Sequence, residues 1–389
     1  MDFRYTEDEE RFRKELNEFL DEELTEEICR QNWADKGLGC EGREFAQKLA
    51  AKGWLTPSWP KEYGGQGLAP MYDYILVTEL ARRGAHIPNE VARFMSGPCI
   101  LLFGSEELKQ EFLPRIARGE IEFCLGYSEP EAGSDLAVLE IRAVEDGDDY
   151  IINGHKIFNT ECHYAEYHWL AARTDFEAPK HRGISLFVVD LKSPGITVNP
   201  MWTMGGERTN EVVYDNVRVP KRMMVGEENR GFYHIMDALS FERLFVFATE
   251  LFYPFFNSMI QYVKETQYKG EPLSKDPVIR QKLAELAIEF EVGSLIQAQA
   301  SWMISKGLVP ETETSISKVF SSELGQRLLN AAMHILGPYG QLQEGSKWAV
   351  FDGTIERNYR SAVMTTFGAG SSEILRNIIA IRGLGLPTK

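Results

Sequence analysis

The sequence predicts an α+β protein of several domains: an N-terminal helical domain, a central antiparallel β-barrel or sandwich domain, and a C-terminal four-helix bundle. Apolar residues recur at helical spacing up to about residue 120. Short β-branched and aromatic runs then alternate with turn dipeptides, and long helical patterns return near residue 232. A chain of 389 residues is long enough for two or three domains with sizeable cores. The expected domain boundaries are 1–120, 121–231 and 232–389.

The first predicted helix has a clear start signal. Thr6 and Glu9 have the spacing of a capping box, in which each side chain bonds to the backbone N–H of the other residue. Four apolar residues follow at helical intervals, namely Phe12, Leu16, Phe19 and Leu20. A loop rich in proline and glycine, 57–70, separates this helix from further helical pattern that ends near residue 120.

Turn dipeptides define the central domain. Asp146-Gly147 and Asn153-Gly154 lie between β-branched runs, and such dipeptides are strong hairpin signals. No long helix separates the runs, which disfavours a parallel α/β sheet. The pattern is typical of an antiparallel barrel or sandwich.

Long apolar helices are predicted after residue 231. The segment Gly231–Phe256 is apolar on almost all sides, which predicts one helix buried on most faces. The next residues have the spacing of a bundle seam: Ile279, Leu283, Leu286 and Phe290. Two further helices are expected, over 314–336 and 371–381.

Composition and charge limit the possible partners. The 42 basic and 58 acidic residues give a formal net charge of −16. Such a surface repels phosphate backbones and anionic lipids, so we expect neither nucleic acid nor membrane as a partner. The acidic start of the chain argues against a signal peptide, and five scattered cysteines without a CxxC pair indicate reduced thiols. We therefore expect a cytoplasmic protein.

Common catalytic motifs are missing from the sequence. The seven histidines form no HExxH motif, so we expect no metal site. There is no GxSxG, no Walker loop and no GxGxxG after a strand. Two segments rich in glycine and serine remain, Gly126–Asp135 and Gly368–Glu373. Each can let the backbone approach a bulky ligand, although such a segment taken alone is more often an ordinary turn.

Glu242 is a candidate base. On a helix its neighbours at three and four residues are Ala238, Leu239, Phe245 and Val246, and no cation has salt-bridge spacing to it. Burial among apolar groups raises the pKa of a carboxyl, which suits a general base. A buried ion pair with another helix is the alternative.

Several motifs together resemble the flavin-dependent acyl-CoA dehydrogenases. They are WPKEYGG, GYSEPEAGSD, NGHKIFNT, DNVRVPKRMMVGEENRGF, LSFERL and GAGSSEILRNIIAIR, and they follow the order and spacing of that family over essentially the whole chain. The resemblance implies the same helical, β and helical domain order. It also implies FAD as cofactor, an acyl-CoA as substrate and an electron-transfer flavoprotein as electron acceptor.

The resemblance assigns roles residue by residue. Toward FAD it places Leu125, Ser128, Gly133, Ser134, Phe158, Thr160 and Ser371. Toward the substrate it places Ser134, Arg243, Gly368 and Ala369. Phe158 stands where the family usually has tryptophan. The family places its catalytic glutamate at either of two positions, and Ala369 occupies the commoner one. The other position is Glu242, as in the isovaleryl-CoA and long-chain dehydrogenases, so Glu242 is expected to take the α-proton.

Departures from the family pattern bear on assembly and substrate. Thr266 and Lys269 stand where the family usually has an arginine and a phenylalanine, and that arginine reaches the FAD of a neighbouring subunit. Gly337–Gly340 (GPYG) differs near the same contact. A homotetramer or dimer is expected, and a hetero-oligomer is open. Gly368 replaces an aromatic residue of the straight-chain enzymes, which predicts a branched, cyclic or otherwise bulky acyl group.

Two other functions are open at this stage. One is a non-catalytic partner chain in a hetero-oligomeric dehydrogenase, which the departure at Thr266 favours and the retained Glu242 disfavours. The other is an acyl-CoA oxidase or flavin monooxygenase on the same scaffold, which the sequence does not distinguish from a dehydrogenase.

Overall fold

The computed structural model describes residues 4–26, 28–29, 39–86, 89–236, 245 and 248–388. In these residues a helical region precedes a seven-stranded sheet, and a second helical region follows it. The predicted α+β class and the helical, β, helical order are confirmed. Among the helices described, none combines the length and the apolar character that crossing a membrane requires.

The described part of the N-terminal region consists of five helices, of which the first three share one apolar core and the last two pack in the core of the sheet. Its helices are α1 Glu7–Glu23, α2 Cys40–Ala51, α3 Met71–Arg82, α4 Gly97–Phe103 and α5 Glu106–Ala117, and a π-helical turn, Ala92–Ser96, leads into α4. Both bonds of the predicted capping box are present, with Thr6 N–H donating to Glu9 over 2.7 Å and Glu9 N–H donating to Thr6 Oγ1 over 3.3 Å. The local signal at the start of α1 is therefore confirmed.

The sheet is curled and mostly antiparallel. Its strands are β1 Phe123–Gly126, β2 Arg142–Asp146, β3 Asp149–Lys156, β4 Tyr167–Arg173, β5 Ile184–Asp190, β6 Ile196–Trp202 and β7 Arg208–Pro220. The order is β1-β4-β2-β3-β7-β6, and β5 pairs with β4. One long pairing differs from the predicted pattern, because β1 and β4 run parallel, with Leu125 opposite Trp169. Parallel neighbours need a long crossover, and here the crossover contains β2 and β3.

One predicted hairpin is present and the other is a bulge. Gly147 (φ 64°) lies in the two-residue turn between β2 and β3, as Asp146-Gly147 predicted. Asn153-Gly154 was expected to be a turn, and this prediction is wrong because both residues lie inside β3. The register of β3 against β7 shifts between Ile152 and Gly154. A glycine inside a strand often marks a bulge, and a Cβ at Gly154 would come within 2.9 Å of the Ile141 side chain.

The C-terminal region is helical, but its first predicted helix is not continuous. Its helices are α6 Tyr253–Glu265, α7 Pro277–Ser305, α8 Glu311–Leu336, α9 Thr354–Ser361 and α10 Ser372–Ile378. Residues 231–236 are helical, whereas Ala248 is extended (ψ 138°) and a 3₁₀ turn precedes α6. Pro254 lies in the first turn of α6, where a missing N–H costs least, so proline favours a new helix start. The prediction of one helix over Gly231–Phe256 is therefore wrong.

A short hairpin that the sequence analysis missed follows α6. Strands β8 Gln267–Tyr268 and β9 Glu271–Pro272 pair across Lys269-Gly270, whose φ angles are 52° and 85°. Two successive positive φ angles are characteristic of a type I′ turn, which usually has Asn-Gly. The turn was not predicted because Lys269, and not asparagine, occupies its first position.

Candidate functional site

The exit of β1 forms one wall of the candidate site. The carbonyl oxygen of Leu125 accepts a hydrogen bond from Asn159 Nδ2 over 2.6 Å. The carbonyl oxygen of Ser128 accepts one from the N–H of Ile157 over 2.9 Å. These bonds hold the segment after β1 beside the loop 157–160, so Leu125 and Ser128 lie next to Phe158 and Thr160.

Phe158 is held in an unusual position. Its backbone has φ 57°, a left-handed conformation that is uncommon for a large side chain, and its side chain is 60% exposed. The next residue fixes the loop, because Asn159 N–H donates to Asn210 O over 2.9 Å and Asn210 Nδ2 donates to Asn159 O over 2.8 Å. Backbone strain and an exposed aromatic ring at one residue are typical of a binding position.

Thr160 lies on the other side of this loop. Its Oγ1 atom is 3.3 Å from Oγ1 of Thr209 at the start of β7. Thr160 therefore presents a hydroxyl group next to the exposed ring of Phe158. The two residues form a surface with one apolar and one polar part.

The segment with Gly133 and Ser134 is open. Both residues are exposed, and a Cβ at Gly133 would meet no described atom within 4 Å. Asp135 forms an ion pair of 2.9 Å with Lys180 on the surface. The backbone here is accessible to a large ligand.

A buried ion pair anchors the start of the segment that follows β1. Nζ of Lys156 lies 2.7 Å from Oε1 of Glu129 and donates to Tyr127 O over 2.9 Å. The N–H groups of Glu140 and Ile141 donate to the Glu129 carboxylate over 2.6 and 3.1 Å. Burial lowers the pKa of Lys156 to about 8, against the attraction of Glu129. Sequence reasoning did not single out either residue, although Lys156 occupies a core-facing position among apolar residues of β3.

A histidine lies directly beneath β1. His168 is fully buried on β4, its Nδ1 atom is 2.5 Å from Oη of Tyr214, and its ring is in contact with Gly126. Burial lowers the pKa of His168 to about 3, and the charge of Lys156 adds to the effect. The ring is therefore neutral at ordinary pH and acts as packing under the site.

The loop before α10 forms the second candidate wall. Ala369 has φ 53° and Gly370 has φ 96°, and Ser371 caps α10 by accepting the N–H of Ile374 over 3.3 Å. Lys318 on α8 is fully buried, and its Nζ atom donates to the carbonyl oxygen of Gly370 over 2.9 Å. Sequence reasoning missed Lys318, whose partner is far away along the chain.

Contacts join the sheet to the helix that precedes this loop. Arg360 on α9 donates to the carbonyl oxygen of Met204 in the β6–β7 turn. Gly205 in the same turn lies directly against Ser361. The β domain is thus attached to α9, seven residues before the backbone reaches Gly368.

Glu242 and Arg243 lie outside the described residues. Phe245, three positions later, is buried, and its ring stacks on Phe94 with centroids 4.6 Å apart and planes at 23°. Phe94 belongs to the π-helical turn before α4. Phe245 therefore packs against the N-terminal region.

The described residues also bear on metal binding. Among them, no three histidine, cysteine, aspartate or glutamate side chains lie close enough together to hold a metal ion. An exposed aromatic ring, nearby hydroxyl groups and open glycine backbone instead suit a large planar ligand that also carries phosphates. The fold around these residues is that of a helical–β–helical protein.

Comparison with known proteins identifies the family. Models of the N-terminal, middle and C-terminal domains of acyl-CoA dehydrogenases match residues 6–120, 124–217 and 229–384. Acyl-CoA dehydrogenase FadE26 of Mycobacterium tuberculosis is 36% identical over 100% of this chain and 99% of its own length. The chain belongs to the acyl-CoA dehydrogenase family, whose members are FAD-dependent oxidoreductases.

Two solved structures have the same fold throughout. The steroid ACAD Tcur3481–Tcur3483 superposes with a TM-score of 0.92 at 34% identity, covering 100% of both chains. The ChsE4–ChsE5 complex of Mycobacterium tuberculosis superposes with a TM-score of 0.90 at 36% identity, again covering 100% of both chains. Both names describe assemblies of two different chains.

Proposed function

We propose that this protein dehydrogenates a bulky acyl-CoA thioester between its α- and β-carbons, with Glu242 as the base. The observation that carries the proposal is the exposed, left-handed Phe158, fixed beside Leu125, Ser128 and Thr160. Such a surface accommodates an isoalloxazine ring, with the aromatic face on Phe158 and hydroxyl groups at the ring edge. The residues present therefore fit FAD.

The remaining contacts to FAD are assigned to the open segment and the second wall. Gly133 and Ser134 would hold the pyrophosphate through accessible backbone and hydroxyl groups, and Ser371 would complete the binding surface. FAD, when bound, supplies the acceptor for the hydride that leaves the β-carbon. The domain boundaries 1–120, 121–231 and 232–389 are part of the same proposal.

The chain's own residues prepare the α-carbon for proton loss. An α-proton of a thioester is a weak acid, so the charge that develops on the thioester oxygen must be stabilised. The backbone N–H of Ala369 is the proposed donor, and the left-handed backbone of Ala369, which is costly for a residue other than glycine, supports a special role for this loop. Gly368 leaves room beside it, while Ser134 and Arg243 are proposed to contact the CoA ester.

Glu242 takes the α-proton in this proposal. Its sequence neighbours are apolar, and Phe245 is packed in the core, which supports a poorly solvated environment for the carboxylate. Desolvation raises the pKa of a carboxyl and makes the carboxylate a stronger base. The electrons then leave through an external acceptor, for which an electron-transfer flavoprotein is the expected partner.

The test is anaerobic bleaching of the purified yellow protein by a panel of acyl-CoA esters. Branched and cyclic esters are expected to bleach the flavin faster than butyryl-CoA or octanoyl-CoA. Glu242→Gln is expected to retain FAD and to abolish bleaching, while the exposed Glu291→Gln on α7 leaves it unchanged. Normal bleaching by Glu242→Gln would reject Glu242 as the base, and faster bleaching by straight-chain esters would reject the bulky acyl group.

We also propose that a second type of chain completes the assembly. Thr266 ends α6 where the family usually has an arginine, and the hairpin β8–β9 follows it directly. Two structures that this chain resembles are named as pairs of different chains. Co-expression with candidate partner chains tests this: a complex with more FAD per chain than the protein alone supports it, and a fully FAD-loaded homo-oligomer contradicts it.

A further inference from the structure

A cavity of about 190 Å³ lies between the N-terminal helices and the C-terminal region. Most of its lining is apolar, and this part includes Trp59, Phe94, Pro98, Leu101, Phe245 and Ile304. Phe245 and Phe94 are the stacked pair described above, and Phe245 follows Glu242 by three positions in the sequence. An engineered cavity of about 150 Å³ binds benzene, so this volume accommodates a single ring with a small substituent.

One part of the lining is polar. Ser58, Asp73 and Arg93 reach the cavity, and the side chains of Asp73 and Arg93 are only 6% and 1% exposed. Asp73 lies near the start of α3, and Arg93 lies in the π-helical turn, a feature frequent at functional sites. The Arg93 guanidinium lies 4.7 Å from the ring centroid of Phe94. Burying the Arg93 guanidinium costs free energy, which favours a role for this side chain beyond packing.

The charges indicate which ligand atoms fit. Arg93 is attracted by both Asp73 and Glu122, which offset its positive charge, while its burial lowers its pKa to about 10. Burial raises the pKa of Asp73 to about 6, and Ser58 donates a hydrogen bond that acts in the opposite direction. The lining contains one acidic side chain, Asp73, and one basic side chain, Arg93, so it offers a carboxylate no net positive charge. A neutral oxygen can accept from the guanidinium and, as a hydroxyl, donate to Asp73.

We propose that the acyl group of the substrate ends in a ring that carries a neutral oxygen, either a hydroxyl or a ketone, and that this ring occupies the cavity. The oxygen hydrogen-bonds to Arg93 and, as a hydroxyl, also to Asp73, while the ring packs on Phe94 and Phe245. This inference rests on the proposed function and narrows its substrate class. Asp73 and Arg93 then determine specificity at a distance from the reacting carbons.

The test compares two substrates that differ by one oxygen. The probes are 3-cyclohexylpropanoyl-CoA and 3-(4-hydroxycyclohexyl)propanoyl-CoA, and the measurement is the ratio of their kcat/KM values. We expect the wild-type protein to prefer the hydroxylated ester by about tenfold or more, because a site built for a hydroxyl rejects the analogue that lacks it. Arg93→Met and Asp73→Leu are expected to reduce this ratio toward one.

The kcat/KM ratio of the two esters is measured on the wild-type protein. It therefore tests the proposal even if Arg93→Met and Asp73→Leu do not fold. Asp215→Asn, at an exposed position of β7, is the matched control and keeps the wild-type ratio. A wild-type kcat/KM ratio near one would overturn this proposal and leave the proposed function intact. If no acyl-CoA in the panel bleaches the flavin, the proposed function fails and this inference fails with it.

Discussion

The Nζ atom of Lys318 donates a hydrogen bond of 2.9 Å to the carbonyl oxygen of Gly370, across 52 residues of sequence. Lys318 is fully buried in α8, whereas Gly370 follows directly after Ala369 in a loop with two successive positive φ angles. The buried ammonium group of Lys318 thus fixes the backbone of this loop. The loop includes Ala369, whose N–H is the proposed donor to the thioester oxygen.

Lys318→Met is expected to slow flavin reduction by at least about tenfold, since losing a single donor to a developing oxyanion costs a hundredfold or more. The variant keeps the length of the side chain but cannot hold Gly370. Stopped-flow bleaching at saturating substrate measures the rate, and bound FAD is expected to stay near the wild-type level. Lys282→Met on the surface of α7 is the control. An unchanged rate in Lys318→Met would mean that this loop needs no such support.

Phe158→Ala is expected to weaken FAD binding by about 2- to 10-fold, because an aromatic pair contributes about 0.5–1.5 kcal/mol beyond the area it buries. Titration of the FAD-free protein with FAD measures the dissociation constant. Phe176→Ala removes another exposed ring and serves as the control. Equal affinities in all three proteins would contradict the placement of the flavin on Phe158.

Phe158→Gly is expected to make the FAD-free protein more stable than Phe158→Ala by about 1 kcal/mol. Glycine adopts the observed φ of 57° without the cost that a left-handed conformation imposes on other residues. Urea unfolding of the two FAD-free variants measures the difference in the free energy of unfolding. A glycine variant that is less stable than the alanine variant would show that the loop relaxes when the ring is removed.

Local signals allowed much of the fold to be predicted, and the failures have physical reasons. The Thr6–Glu9 capping box involves residues three apart, so the sequence contains the whole interaction. The parallel pairing of β1 with β4 joins Leu125 to Trp169, and no local pattern encodes a crossover of that length. The break at Ala248 escaped detection because apolar residues continue through it.

The same contrast applies to the candidate site. Leu125, Ser128, Phe158 and Thr160 lie in recognisable motifs, and the structure brings them together. Lys156 and Lys318 were missed, because their partners lie 27 and 52 residues away and a lone lysine in a sequence usually indicates a solvent-facing position. Only the three-dimensional arrangement reveals that these charges are buried.

Lys156→Met is expected to destabilise the protein by about 3–5 kcal/mol, since removing one partner leaves the other charge of a buried pair uncompensated. Chemical denaturation measures the free energy of unfolding. Adding Glu129→Gln to Lys156→Met is expected to recover part of the loss by removing that charge. A single variant as stable as the wild type would show that water reaches Glu129.

His168 is expected to make the protein less stable in acid. Its folded pKa of about 3 lies below the ordinary value of 6.5, so the unfolded chain takes up a proton that the folded chain does not. Its contribution is therefore lost progressively as the pH falls from about 6.5 toward 3, and the loss reaches about 2 kcal/mol at about pH 5.

His168→Asn keeps a polar partner for Tyr214 but does not titrate. We expect the variant to lose less stability than the wild type between pH 7 and about pH 5, as measured by urea unfolding at each pH. His155→Asn, at an exposed position of β3, is the control. Parallel pH profiles for His168→Asn and the wild type would show that the pKa of His168 is the same in the folded and the unfolded chain.

The buried pair of Lys156 and Glu129 connects β3 to the segment after β1 through protein atoms alone. Glu129 in that segment is therefore anchored by protein atoms. Apoprotein prepared by stripping the flavin should keep a ready-made cleft and regain its colour at a rate set by diffusion and docking, without a slow refolding phase. Formation of the cleft and binding of the flavin would then be separate events, the first completed by folding alone.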